Sequence, residues 1–242
     1  ALDSPQDFNA RMIDRIRVKG KVRPQSVYEI FDAYPLAKRQ PILSTNYQFE
    51  NALAHYHLGH VERAHELIKQ VIVSSPADEV AKLYLDRCER YLRGEGFDGL
   101  AEPQRNVPWE QTYVLHVHDV DEQHHQLLDN INEVSRLVWE ESGEDISRVL
   151  DRLQNYAVEH FETEARLMDQ YNYPQALEHN HEHSRFVEHF LNVRREIESG
   201  EHDKLYMLFK IDVFLMDWLL NHTTGVDRHW ADYIMAHGYT DS

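Results

Sequence analysis

Apolar residues in the second half of the chain recur at steps of three and four, the spacing that lines one face of an α-helix. Four such segments run over roughly 119–140, 144–172, 175–199 and 204–224. The breaks are Ser142-Gly143, Asn172-Tyr173-Pro174 and Ser199-Gly200. Connections this short leave neighbouring helices antiparallel. The pattern predicts a mainly α protein whose C-terminal half is an up-down-up-down four-helix bundle.

The inward stripe of each helix can be followed at heptad-like spacing. In the first it is His124, Leu127 or Leu128, Ile131, Val134 and Val138; in the second Leu153, Ala157, His160, Glu164, Leu167 and Tyr171. The third carries His179, His183, Phe186, Phe190, Val193 and Ile197, and the fourth Leu208, Ile211, Leu215, Trp218 and His222. The steps hold through the titratable residues, so the helices aim five histidines and a glutamate at the core. Asp227 follows His222 by five residues, about 140° away on a regular helix. The helix is therefore expected to end or loosen near Gly225 and swing Asp227 inward.

The first half reads differently. Residues 15–21 and 25–30 alternate as two short strands around a turn, within a hairpin segment 1–40. Six of the residues from 11 to 23 are Lys or Arg, as on a charge-guarded strand edge. Residues 41–97 have helical periodicity, broken at Gly59 and at Ser75-Pro76. His55, His57, His60 and His65 fall there and are expected on solvated faces. Residues 98–110, within a stretch rich in Gly and Pro, are expected to link this region to the bundle domain at 111–242.

Composition narrows the function. The chain has 242 residues, 42 acids against 25 Lys plus Arg, and a formal charge of −17. That balance disfavours nucleic acid and anionic membrane as partners. One cysteine, Cys88, excludes a disulfide framework or a Cys-rich metal site and fits a reducing cytoplasm. No apolar run is long enough to cross a membrane. The start carries no signal peptide and no Met, and the chain is expected to be part of a longer protein. Histidine is in excess: 17 residues, 13 of them after residue 105.

Five buried imidazoles and two buried carboxylates cannot be left unpaired, since each unsatisfied polar group costs about 1–3 kcal/mol. Metal resolves the set, and imidazole with carboxylate suits iron, zinc or copper. Seven ligands exceed what one ion accepts, whereas two ions bridged by carboxylates use all of them. His160-x3-Glu164 and His179-x3-His183 each place two ligands one turn apart on one face.

The order "DEQH", "HFETE", "HNHEH", "HTTGVD" resembles the hemerythrin family in its bacterial form, over about 125 residues with all seven ligand positions present. The resemblance implies two non-haem irons with an oxo or hydroxo bridge, and dioxygen as ligand. It gives His179, His183 and His222 to one iron, His124 and His160 to the other, and Glu164 and Asp227 to both. Leu127, Phe161, Phe186 and Trp218 match apolar residues around the iron pair. Two positions depart from the family. His116 stands in a stretch that often carries Gly, and Thr223 stands where an aliphatic residue usually follows the fifth histidine. A hydroxyl there puts the lifetime of an oxygenated form in doubt, not iron binding.

Rival readings exist. A ferritin-like di-iron oxidase uses Glu-x-x-His pairs; Glu122-x-x-His125 and Glu178-x-x-His181 have that form but fall off the stripes. An iron or redox store, or a helical interaction module with structural metal, has the same ligands.

Two weaker likenesses lie upstream. "RVKGKVRPQSVYEI" resembles the C-terminal hairpin of class III nucleotide cyclases, without that family's metal- or base-binding positions. "LGHVERAHELIKQVIVSSP" resembles a single tetratricopeptide repeat, with Leu58, Gly59, Val61, Ala64, Ile68, Val71 and Pro76 at its spacings. Together these suggest an oxygen or redox sensing module, not itself an enzyme. An upstream output domain or a second copy of the chain would be met through the N-terminal region. Oxygen storage or delivery is the alternative.

Overall fold

The computed structural model describes residues 8–17, 24–96, 107–140 and 146–240. The chain divides into two compact units, Ala1–Pro103 and Gln104–Ser242.

The first unit opens with an antiparallel hairpin. Strand β1 (Ala10–Arg17) pairs with β2 (Pro24–Ile30) from Ala10↔Ile30 to Arg17↔Pro24, with an irregularity between Met12 and Asp14. β1 begins five residues earlier than the sequence pattern suggests, and residues 18–21 of the expected strand lie outside the described residues. The reason for the early start is burial. Arg11 is 1% exposed and pairs with Asp78 at 2.6 Å and Glu29 at 2.8 Å, with its guanidinium over the Phe49 ring. A buried charge is tolerated because it is paired on both sides.

Three helices follow, α1 (Leu36–His57), α2 (Val61–Ser74) and α3 (Glu79–Leu92), with α2 packed on both others and β1 on α1. Gly59 takes φ +86° between α1 and α2, a conformation that favours glycine. Asp78 caps α3 by accepting from the backbone of Val80 and Ala81. The core is Phe49, Leu53, Tyr56, Ile68 and Tyr84. Here the expectation of solvated histidines fails for two of the four. His55 and His57 are buried, and His57 Nε2 lies 3.6 Å from Asp14 of the hairpin. Burial pushes the His57 imidazole down to about 4, with Asp14 opposing.

The second unit is the bundle: α4 (His118–Trp139), α5 (Ile146–Gln170), α6 (Ala176–Ser199) and α7 (Lys204–Asn221). α4 and α6 each pack against both α5 and α7, which closes the four into a ring. The inward stripes are buried as the pattern requires, with Leu167, Tyr171, Ile197 and Trp218 half-buried at the margins; the side chain of Val138 lies outside what the structure describes. Val107, in the stretch read as linker, is buried and exchanges two hydrogen bonds with the Asn132 side chain of α4.

The chain does not stop after the fourth helix. A π-helical segment, His222–Asp227, runs directly into α8 (Arg228–Ala236). Trp230, Ala231 and Ile234 of α8 are fully buried against Leu115, Val117, Val120, Met168 and Tyr173. Arg228 donates to the carbonyls of Thr112 and Val114, which ties the loop before α4 to α8. In that loop His116 has φ +64° and its N–H, like that of Leu115, is held by the Asp121 carboxylate. The left-handed backbone explains why a glycine suits this position.

Candidate metal centre

Four chain segments converge in the interior of the bundle. α4 brings His124, α5 brings His160 and Glu164, α6 brings His179 and His183, and the π-helical segment brings His222 and Asp227. None of the seven is more than 4% exposed. The π-helical segment solves the phase problem posed by the five-residue spacing. Its i→i+5 hydrogen bonds widen the turn so that residues five apart stack on one face. His222 Nε2 and Asp227 Oδ1 accordingly lie 3.0 Å apart.

Each carboxylate divides between two groups of histidines. Glu164 Oε2 is 3.3 Å from His179 Nε2 and 3.1 Å from His183 Nε2, whereas Oε1 faces His160 Nε2 at 3.7 Å. Asp227 Oδ1 is 3.3 Å from His179 Nε2 and 3.0 Å from His222 Nε2, whereas Oδ2 faces His124 Nε2 at 3.2 Å. Two clusters result: Glu164, His179, His183, His222 and Asp227, and His124, His160, Glu164 and Asp227. Each could hold a metal ion.

The donors face one another. The Nε2 atoms of His124 and His160 are 3.2 Å apart, and His183 Nε2 is 2.9 Å from that of His222 and 3.1 Å from that of His179. Glu164 Oε1 and both Asp227 oxygens have no aligned hydrogen-bond donor although fully buried. Lone pairs packed against lone pairs are costly unless a cation lies between them. The donor set therefore fits a pair of divalent transition-metal ions.

The electrostatics of the metal-free cluster follow from the same contacts. Burial opposes ionisation of Glu164 and Asp227, yet the surrounding imidazoles hold both carboxyls below their ordinary range. Burial also opposes charge on His222, but Asp227, helped by Glu182 and Glu164, raises it to about 10. His179 is raised too, because its contacts with Asp227 and Glu164 outweigh burial. Burial dominates at His160, pushed down to about 3, and at His183, also lowered.

Aromatic rings pack beside the cluster. Phe161 stacks on His183 with centroids 3.9 Å apart, Trp218 stacks on His222 at 4.2 Å, and Phe186 lies 4.1 Å from Trp218. Leu127 is buried one turn after His124. Thr223 is buried and its hydroxyl has no hydrogen-bond partner. Glu122, His125, Glu178 and His181 are all exposed, with His125 turned to Asp129 and His118 to Glu122. The Glu-x-x-His pairs of the oxidase reading thus face solvent.

Sequence reasoning passed over Gln123 beside His160, Glu182 whose Oε2 is 3.5 Å from His222 Nδ1, and Trp230 beside His179. Gln123 and Glu182 each adjoin a ligand-face residue in sequence, within "EQH" and "HEH", which was the available signal.

The comparisons with known proteins fall on this unit. Residues 115–234 match the family described as Hemerythrin HHE cation binding domain. A bacteriohemerythrin of Stenotrophomonas maltophilia is 25% identical over 129 residues, covering 53% of this chain and 82% of that protein. A bacteriohemerythrin of Methylococcus capsulatus is 27% identical over 116 residues, covering 48% of this chain and 86% of that protein. A myohemerythrin of Theromyzon tessulatum is 27% identical over 119 residues, covering 49% and 86%. With the converging imidazoles and shared carboxylates in view, residues 115–234 of this chain are a domain of the hemerythrin family.

Proposed function

We propose that the bundle binds two non-haem irons and through them binds dioxygen reversibly. The observation that carries this reading is the division of Glu164 and Asp227, each of which offers one oxygen to each cluster. That is the placement a bridging ligand needs. His179, His183 and His222 would hold one iron and His124 and His160 the other, with both carboxylates shared. Iron would supply the electrons that dioxygen takes up on binding.

The chain's own residues set the rest. Imidazole is a neutral donor and five of them favour the ferrous state, so binding is favoured over oxidation of a substrate. The cluster with two histidines has one protein donor fewer, which leaves room for a small exogenous ligand there. Phe161, Phe186, Trp218 and Leu127 keep the surroundings apolar.

Metal analysis paired with the visible spectrum of the reduced protein before and after air tests the reading. Two irons per chain, one for each cluster, and a colourless reduced form that gains a reversible near-ultraviolet and visible band are expected. A single zinc, or no metal, would leave a helical interaction module. Two irons passing directly to a stable oxidised spectrum would favour a redox or iron sensor and direct attention to Thr223.

The separate N-terminal unit favours a sensing role over simple storage. In this reading the state of the irons is passed through that unit to an output domain or a second copy of the chain, within the cytoplasm. A longer form that carries an output domain should then differ in output between deoxy, oxy and oxidised states. Equal output in all three would return the protein to oxygen storage or delivery.

A further inference from the structure

The outward nitrogens of the two end histidines are backed by different chemistry. His222 turns Nδ1 to a carboxylate, Glu182 Oε2 at 3.5 Å. His160 turns Nδ1 to an amide, Gln123 Oε1 at 3.3 Å. On its other side Gln123 Nε2 lies 3.1 Å from Thr163 Oγ1, and the Thr163 hydroxyl donates to the backbone carbonyl of Glu159 at 3.0 Å.

Only one placement of protons makes all three contacts hydrogen bonds at once. A backbone carbonyl only accepts, so the single hydroxyl proton of Thr163 is committed to Glu159. The Thr163 oxygen can then only accept from Gln123, which requires the amide NH2 on that side. The amide oxygen is left facing His160, and it too only accepts. Nδ1 of His160 must therefore carry the ring proton. A neutral imidazole has one N–H, so Nε2 is a bare lone pair, 3.2 Å from His124 Nε2 and 3.7 Å from Glu164 Oε1.

We propose that Gln123, held in orientation by Thr163, is a positioning residue that fixes His160 as the Nδ1–H tautomer and so presents Nε2 to the two-histidine metal position before metal arrives. The proposal rests on reading the buried cluster as a metal centre. Hydrogen bonds of this kind to the far nitrogen of a ligating histidine fix its tautomer and aim. The amide does so without adding negative charge, in contrast to Glu182 behind His222, so the two sides of the centre are tuned apart.

Gln123, only half-buried, and Thr163 line a groove between α4 and α5. The experiment uses the full chain with ¹⁵N-labelled histidine. Long-range ¹⁵N–¹H correlation spectra of the metal-free protein at pH 8 report the tautomer, and iron retained after a chelator challenge reports the site. The unaltered chain is expected to show His160 as Nδ1–H. Gln123→Leu preserves size but removes the acceptor. It should mix the tautomers, weaken one iron by about 10–100-fold and leave the other in place. Gln123→Glu keeps an acceptor and should restore both readouts, which a packing role would not predict.

An Nε2–H tautomer in the unaltered chain, an unchanged tautomer in Gln123→Leu, or equal iron loss in the Leu and Glu variants would overturn the proposal. The tautomer readout needs no metal. A Gln123-dependent tautomer in a chain that binds no iron would therefore sustain the positioning role while refuting the di-iron reading.

Discussion

Loading metal into the cluster should release protons, and the structure identifies their source. In the metal-free chain Glu164 and Asp227 are held below the carboxylate range, so both are ionised at neutral pH. His160, at about 3, and His183, also lowered, are neutral there. His222 lies at about 10 and so carries a proton in nearly every chain at pH 8, with His179 raised as well. A metal ion requires neutral imidazole, so loading at pH 8 should expel about one proton per chain from His222 and a further fraction from His179. Each proton expelled makes apparent affinity rise about tenfold per pH unit, about 1.4 kcal/mol. Calorimetric titration of the metal-free chain with zinc, in two buffers of different ionisation heat, counts those protons directly. Solvent that ionises on loading only adds to the count. A release below about half a proton per chain, with affinity flat between pH 7 and 9, would refute the claim that Asp227 and Glu182 hold His222 protonated.

Four further outcomes are expected. His124→Ala or His160→Ala should remove one metal and dioxygen binding, whereas His125→Ala and His181→Ala, on exposed faces, should leave both intact by metal analysis and spectrum. Relieving the left-handed backbone with His116→Gly should stabilise the chain by about 1 kcal/mol, read as a thermal midpoint about 2–4 °C higher. His57 is buried neutral at about 4, so the unfolded chain alone binds its proton as pH falls below 6.5. By linkage that stability is present above pH 6.5 and lost toward pH 4, by about 3 kcal/mol; His57→Gln should flatten that part of the denaturation profile. Removing Gly225 shortens the spacing from His222 to Asp227 to the four residues that suit a regular helix. The variant should keep two metals by elemental analysis, and loss of both would mean that the wide turn does more than align a side chain.

The bundle and the seven converging side chains were legible because a buried stripe at steps of three and four admits few errors of phase. The titratable residues kept that phase, so they could be placed without knowing their partners. The five-residue gap from His222 to Asp227 was itself informative, since only an irregular helix lets both face inward. What followed was not legible. Thr223, Thr224 and Gly225 read as a terminator, whereas the π-helical segment carries the chain on into α8. The buried state of His57 depends on Asp14, 43 residues earlier in the chain, and no local pattern reveals such a contact. The strand start at Ala10 likewise depends on Arg11 meeting Asp78, a partner 67 residues away.

Irregular backbone gathers where the seven buried histidine and carboxylate side chains from four helical segments meet. Two departures from regular geometry are tied together there: the left-handed turn at His116 and the π-helical segment. Arg228, the first residue of α8, bonds the carbonyls of Thr112 and Val114, and Trp230 packs with its ring 6.4 Å from that of His179. A wide turn exposes helix backbone and would fray if left at a free end. Here α8 buries Trp230, Ala231 and Ile234 directly after it. The apolar cap therefore has a task beyond closing the core. It offsets the cost of the one helical distortion that brings Asp227 between the two groups of histidines.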